Sequence, residues 1–417
     1  MRTDMKTDMK TDMQRYRRRS GFSLVELMVS VVIGLLALLF ATRLVISGEK
    51  NKDAAIGGSD SMQNGMLALF SLSGDANTAG WGINDSTVAG CNTTFSDVNG
   101  YQLLSIQRGD GVNITPLASV VIQSNGANPD VISFNSGTSQ SGVGSVMMTA
   151  DYLNENTVTV AAKSPYGYNN DDVLVVAPSV PSPLVPCTVM QMSSFDPTPA
   201  LNDHMIIGTG GFDRFNVNPR MVQTYKKNVT YLYNLGQPNL LHFHTWSVNR
   251  GILMLRASDL IGSETSGASV VDNVVSIKAQ YGLDTRPIPG YDPNPAGNGT
   301  TELKVLGNGM QITQWSSTMT DADGDGVAGS PGDFQRIAAV RIAIVARSKT
   351  ADKPNSAGVC STTTVLPTIF NSNAPASATA APIQVNVAVE GDTLDWKCYR
   401  YRVFETIVPI INSQFRP

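Results

Sequence analysis

The sequence predicts an α+β protein: one long N-terminal helix, membrane-spanning in its first half, packed on a large β-rich head. Three observations predict it. An apolar run from Phe22 is long enough to cross a bilayer. No proline occurs before Pro116 to stop the helix that this run starts. Beyond residue 85, short β-type runs alternate with turn residues to the end of the chain. Of 417 residues, 42% are hydrophobic and 15% charged, the balance of a chain that folds around a sizeable core. The 37 glycines and 22 prolines favour turns and short strands over a helical bundle.

Charge divides the chain at its start. Residues 1–21 hold seven of the 30 basic residues and three of the 34 acidic ones, leaving 23 basic and 31 acidic residues for the remainder. The mildly acidic remainder lacks the concentrated basic footprint of a nucleic-acid binder, and the pair Lys226-Lys227 is too short to make one. The repeat TDMK-TDMK-TDMQ has no apolar face and reads as leader or as an overcalled start. Arg15, Arg17, Arg18 and Arg19 follow it, and a basic segment before an apolar run keeps the N-terminus in the cytoplasm.

Residues 22–47 are the expected transmembrane helix. Leu27 through Thr42 is sixteen residues without a charge, and its apolar flanks extend it to about the 20 residues that a bilayer requires. In a secretory signal the small residue of the cleavage site lies after the apolar run; here Gly21 lies before it. Cleavage after Gly21 would therefore remove only the basic leader. Glu26 is out of place at the edge of such a helix, where an ionised carboxylate is costly unless it is paired or reaches the headgroups. Cleavage would create an α-amine on Phe22, and a carboxylate and an amine from neighbouring helices would neutralise each other in apolar surroundings.

The segment Arg19-Ser20-Gly21-Phe22-Ser23-Leu24-Val25-Glu26-Leu27 resembles the class III signal of type IV prepilins and type II secretion pseudopilins. The resemblance implies cleavage after Gly21 by prepilin peptidase, N-methylation of Phe22, and Glu26 as the assembly residue. Further on, Gln63–Gly82 with its Ala79-Gly80-Trp81-Gly82 element, followed by Cys91, is similar to the PilW family of minor pilins. Val274–Asp284, Ile337–Ser348 and the closing Tyr401–Ile410 resemble the same family in the same order. That family's pattern closes with Arg-Asn, whereas this chain has Ile411-Asn412.

Residues 48–82 continue the helix as an amphipathic segment. Met62, Met66, Leu69, Phe70 and Leu72 follow helical spacing and are expected to pack on the head. Gly57, Gly58 and Gly65 each cost about 1 kcal/mol of helix relative to alanine, so a bend or local melting is expected there.

Residues 83–417 form the β-rich head. Val340 to Val345 alternate as in a half-buried strand. The four cysteines Cys91, Cys187, Cys360 and Cys398 include no CxxC pair, and in an exported head they read as two disulfides. Three pairings are open; Cys91–Cys187 with Cys360–Cys398 keeps each loop within one region.

Asp321, Asp323 and Asp325 alternate ahead of Gly326 and Val327, as in the first half of a calcium loop. Val327 would supply a carbonyl. The twelfth position is Gly332, not the usual Glu, so Asp333 is the candidate to complete the set. The competing reading is an acidic, glycine-rich surface turn. His242 and His244 share one face of a strand, but zinc requires a third ligand that is not visible in the sequence. No GxSxG elbow, Walker loop or HExxH is present.

The expected protein is therefore a pilus component rather than an enzyme. It would sit N-in across the inner membrane with its head in the periplasm, then join the extracellular pilus. By its resemblance it would join other minor pilins and the major pilin and prime assembly near the tip. The alternatives are a type II secretion pseudopilin, or a pilus-displayed adhesin or metal-binding protein.

Overall fold

The apolar run and the segment after it form one helix, α1, of 55 residues from Leu24 to Thr78 in the computed structural model. The structure describes residues 23–139, 145–153, 159–163, 166–180, 185–196, 204–207, 213–216, 221, 223–287, 309–379 and 382–414. The leader, with Gly21 and Phe22, lies outside them. Two compact units divide the chain, Met1–Ile56 and Gly57–Pro417, with the boundary inside α1.

In the first unit, Leu24–Glu49 is long and apolar enough to span a membrane, and none of it is buried by the chain. At 1.5 Å per residue these 26 residues reach about 39 Å, more than the ~30 Å of a hydrocarbon core.

In the second unit, the last turns of α1 lie on a four-stranded antiparallel sheet. Its order is Gln314–Ser316, Val274–Leu283, Ile337–Arg347, Tyr401–Pro409. The buried stripe of the helix is made mostly of small residues, Ser61, Gly65, Ala68, Ala76 and, just past its end, Ala79, with Leu72 the one large side chain among them. Ala68, Leu72, Ala76 and Ala79 share one apolar core with Ile277, Ala279, Tyr281, Ile342, Ile344 and Val408. Met62, Met66 and Phe70, expected in this contact, instead face outward, with Phe70 77% exposed; Leu69 is half-buried and Leu72 alone is fully buried. The stripe chosen by size outweighs the stripe chosen by hydrophobicity, because only small side chains let the helix backbone close on the sheet.

Gly65 marks the closest approach. A Cβ there would lie 2.0 Å from Cε2 of Phe404. The expected local melting at the glycines does not occur, since α1 is helical through all three. The propensity lost at Gly65 is offset by the ring that packs over it.

The far face of the sheet is also covered. Val275, Ala343 and Val345 pack under Ile369, Phe370, Val385 and Val387. Ile337–Arg347 is therefore buried on both faces, not half-buried as its alternation suggests. Arg341 is accommodated there by its guanidinium, which lies 4.3 Å over the ring of Phe370 and 4.9 Å over that of Trp315 while donating to the Ser372 carbonyl. The neighbouring strand buries Lys278 against Asp130 and two backbone carbonyls.

A five-stranded sheet, in order Ala268–Asp272, Ile252–Ala257, His242–Asn249, Val131–Ser136, Val120–Gln123, completes the same core. An eight-stranded sheet built around Cys187–Phe195, Val173–Pro178 and Thr230–Gly236 has its own two cores. The disulfides join Cys91 to Cys187 and Cys360 to Cys398. The first spans 96 residues and fixes the start of the head to the eight-stranded sheet, a constraint of about 4–5 kcal/mol on the unfolded chain.

Gly65→Ala is expected to destabilise the protein by about 1–3 kcal/mol through overpacking, despite its better helix propensity. Thermal unfolding in detergent measures this. The loss should shrink when Phe404→Ala is combined with it, and an equal loss in both backgrounds would show that the ring is not the cause.

Candidate functional site

The N-terminal end of α1 is built around one charge. Glu26 lies in the first turn, where unpaired backbone N–H groups and the helix dipole favour a carboxylate. Around it Val25, Leu27, Met28 and Val29 are all more than half exposed. No described residue pairs with the Glu26 side chain. A carboxylate and an apolar surface are thus presented together, and nothing in the described chain covers either.

The C-terminal end of α1 is held by residues far apart in sequence. The Asn412 amide donates to the carbonyls of Asn77, Thr78 and Ala79 at 3.1–3.4 Å, capping groups that a helix end leaves without partners. One turn earlier, Asp75 accepts from the Trp246 indole at 2.6 Å and lies 2.8 Å from Nδ1 of His244. Nε2 of His244 is 2.9 Å from Asp259, whose other oxygen is 2.6 Å from Nδ1 of His242. Burial alone would lower the His244 pKa, but hydrogen bonds to Asp259 and Asp75 outweigh it and raise the value to about 9. Burial likewise opposes the charge on Asp259, and the two histidines hold its carboxyl well below the usual range.

The sequence pairs His242 and His244 on one strand face but does not single out Asp259. The signal for it is the hairpin: Asn249 pairs with Ile252 across the turn Arg250-Gly251, both at positive φ, and the register that follows sets His244 against Ala257. The same count brings Asp259 opposite His242. Asn412 was not singled out either; it keeps the Asn of the family's closing Arg-Asn, and the departure lies at Ile411.

The aspartate loop folds on its own backbone. Asp321 accepts from the N–H groups of Gly324 and Gly326, Asp323 from Asp325, and Asp325 from Val327. One oxygen from each of the three aspartates lies within 4.8 Å of the others. The Val327 carbonyl accepts from Ser330. Asp333 accepts four backbone N–H groups, from Ala322, Asp323, Gly329 and Ser330, which occupy both its oxygens. It orders the loop rather than closing a coordination shell. Burial pushes its carboxyl up to about 6, against those donors and with the Asp323 charge. At Gly332 a Cβ would lie 1.8 Å from Oδ2 of Asp323, so the position that usually carries the bidentate Glu has no room for a side chain.

Residues 16–42 match the prokaryotic N-terminal methylation motif, and residues 244–412 match the family described as type IV pilus-assembly protein W. Neither the comparison with curated proteins nor that with solved structures gave a match. With the exposed apolar helix and its first-turn glutamate, the methylation motif defines a membrane-anchored prepilin of the class III type. The second match covers the helix-bearing sheet and Asn412, which caps α1, and together the two matches support a prepilin similar to the PilW family of type IV pilus proteins.

Because the folded His244 pKa is raised above its ordinary 6.5, its contribution is fully present below about pH 6.5 and is lost as pH rises through about 9. Chelator-treated protein should therefore lose on the order of 2–3 kcal/mol across that window, whereas His244→Gln should show a flat profile there. Denaturant unfolding at stepped pH measures both.

Proposed function

We propose that this chain is a minor pilin, cut after Gly21 by prepilin peptidase, methylated on Phe22 and built into the type IV pilus with other minor pilins and the major pilin. The observation that carries the reading is Glu26, a lone carboxylate in the first turn of an apolar helix that the described chain leaves uncovered. An ion in that position is stable in a filament core when a neighbour's α-amine neutralises it. Before assembly the helix anchors the protein N-in across the inner membrane with the head in the periplasm. The outward Met62, Met66 and Phe70 continue the apolar surface onto the head-bearing part of α1 and supply packing to adjacent subunits. Within the filament the large head suits a priming position near the tip, where its bulk meets few neighbours.

Glu26→Ala should leave cleavage intact and reduce incorporation into sheared pili at least tenfold, measured by immunoblot of cell and pilus fractions. Mass spectrometry of the wild-type protein should find N-methylphenylalanine as the first residue. Normal incorporation of Glu26→Ala would sink the assembly role, and an uncut N-terminus would sink the processing.

Calcium is a second expectation, favoured by the convergence of Asp321, Asp323 and Asp325 and by burial and like charges that raise the Asp323 carboxyl. Millimolar Ca²⁺ should raise the melting temperature of wild-type protein by a few degrees and leave Asp323→Ala unmoved. No shift in the wild type would refute the site.

A further inference from the structure

The cluster at the C-terminal end of α1 does more than hold the helix. His242, His244 and Asp259 each offer one ligand atom, and these atoms all lie within 4.8 Å of one another. Asp259 bridges the two imidazoles, one oxygen to each, in the position that a shared cation would otherwise take. Ligand atoms around a tetrahedral zinc at 2.0–2.2 Å stand roughly 3.3 Å apart, so an ion held by one Asp259 oxygen requires that oxygen's own histidine contact, 2.6 Å for His242 or 2.9 Å for His244, to open by roughly half an ångström. His242 is on the outer side with 44% of its side chain exposed, which gives an ion both entry and room for a water.

The surrounding shell is also in place. Metal-bound histidines donate their second ring nitrogen to a carboxylate, which fixes tautomer and orientation. Asp75 stands 2.8 Å from Nδ1 of His244 for that purpose, and Asp75 is itself fixed by the indole N–H of Trp246. Two imidazoles and a carboxylate suit zinc and its borderline neighbours, not calcium or magnesium, which take oxygen ligands.

We propose that Nδ1 of His242, Nε2 of His244 and a carboxylate oxygen of Asp259 form a zinc site, with Asp75 as the positioning residue and water in the fourth place. The site clips the hairpin of the five-stranded sheet and, through His244 and Asp75, braces the last turn of α1. It is separate from the aspartate loop and independent of how the protein assembles.

The test uses the full-length chain in detergent, without a polyhistidine tag, stripped by chelator and titrated with Zn²⁺ and with Co²⁺. One equivalent of Co²⁺ should give the visible absorption of a tetrahedral site, and Zn²⁺ should displace it. His242→Ala removes a half-exposed ligand without emptying the core, and should weaken Zn²⁺ binding at least tenfold. Asp75→Asn keeps all three ligands and should weaken it about 10- to 100-fold. Asp323→Ala should bind as the wild type does. Failure of the wild type to bind, or equal affinity in folded His242→Ala, would overturn the site.

Discussion

Leu24–Glu49 is an apolar helix that its own chain leaves bare, and water cannot be its neighbour at equilibrium. It requires an apolar environment, such as lipid or the apolar faces of other helices. That requirement explains why a carboxylate in its first turn is worth noticing, because a charge in such surroundings persists only with a partner. It also sets what the rest of the fold has to achieve, which is to hold the lower turns of α1 firmly while the upper ones are exchanged between environments.

The head does so with three unlike contacts. Small residues bring the helix backbone against the sheet, with Gly65 under Phe404. The Asn412 amide closes three terminal carbonyls. The carboxylate of Asp75 joins the last turn to His244 and Trp246. Each acts on a different part of the helix surface, so weakening one leaves the others in place.

Much of this was legible in the sequence. The methylation motif at residues 16–42 is local, and its resemblance to the class III signal was legible from a short run of residues. The strand around Val340–Val345 was legible, because its β-branched residues favour extended backbone, and it extends over Ile337–Arg347. The apolar residues from Val270 to Tyr281 fall in two strands, divided at Asn273, whose positive φ makes a turn that asparagine tolerates better than most residues. Cys187–Phe195 was not anticipated as a strand, since its serines and glutamine hide a buried first half. Which face of α1 is buried could not be read from hydrophobicity, because the deciding quantity was the distance between helix and sheet. Asp259 and Asp333 were obscured for a related reason: their roles depend on hairpin register and on backbone N–H groups, neither of which is a property of the residue itself.

The helix near the start of the chain finds its sheet in residues 274–409 and its cap at Asn412, while the cores of the eight-stranded sheet come from residues between them. A ribosome delivers these parts in sequence order, with α1 already in the bilayer before its resting place has been made. The middle of the head can fold early on its own contacts; the junction cannot. A chain interrupted at any point before Asn412 would carry its apolar anchor with an unfinished seat for the Ala68–Ala76 stripe. Pairing of Tyr401–Pro409 and capping by Asn412, rather than folding of the bulk of the head, thus complete the seat of α1.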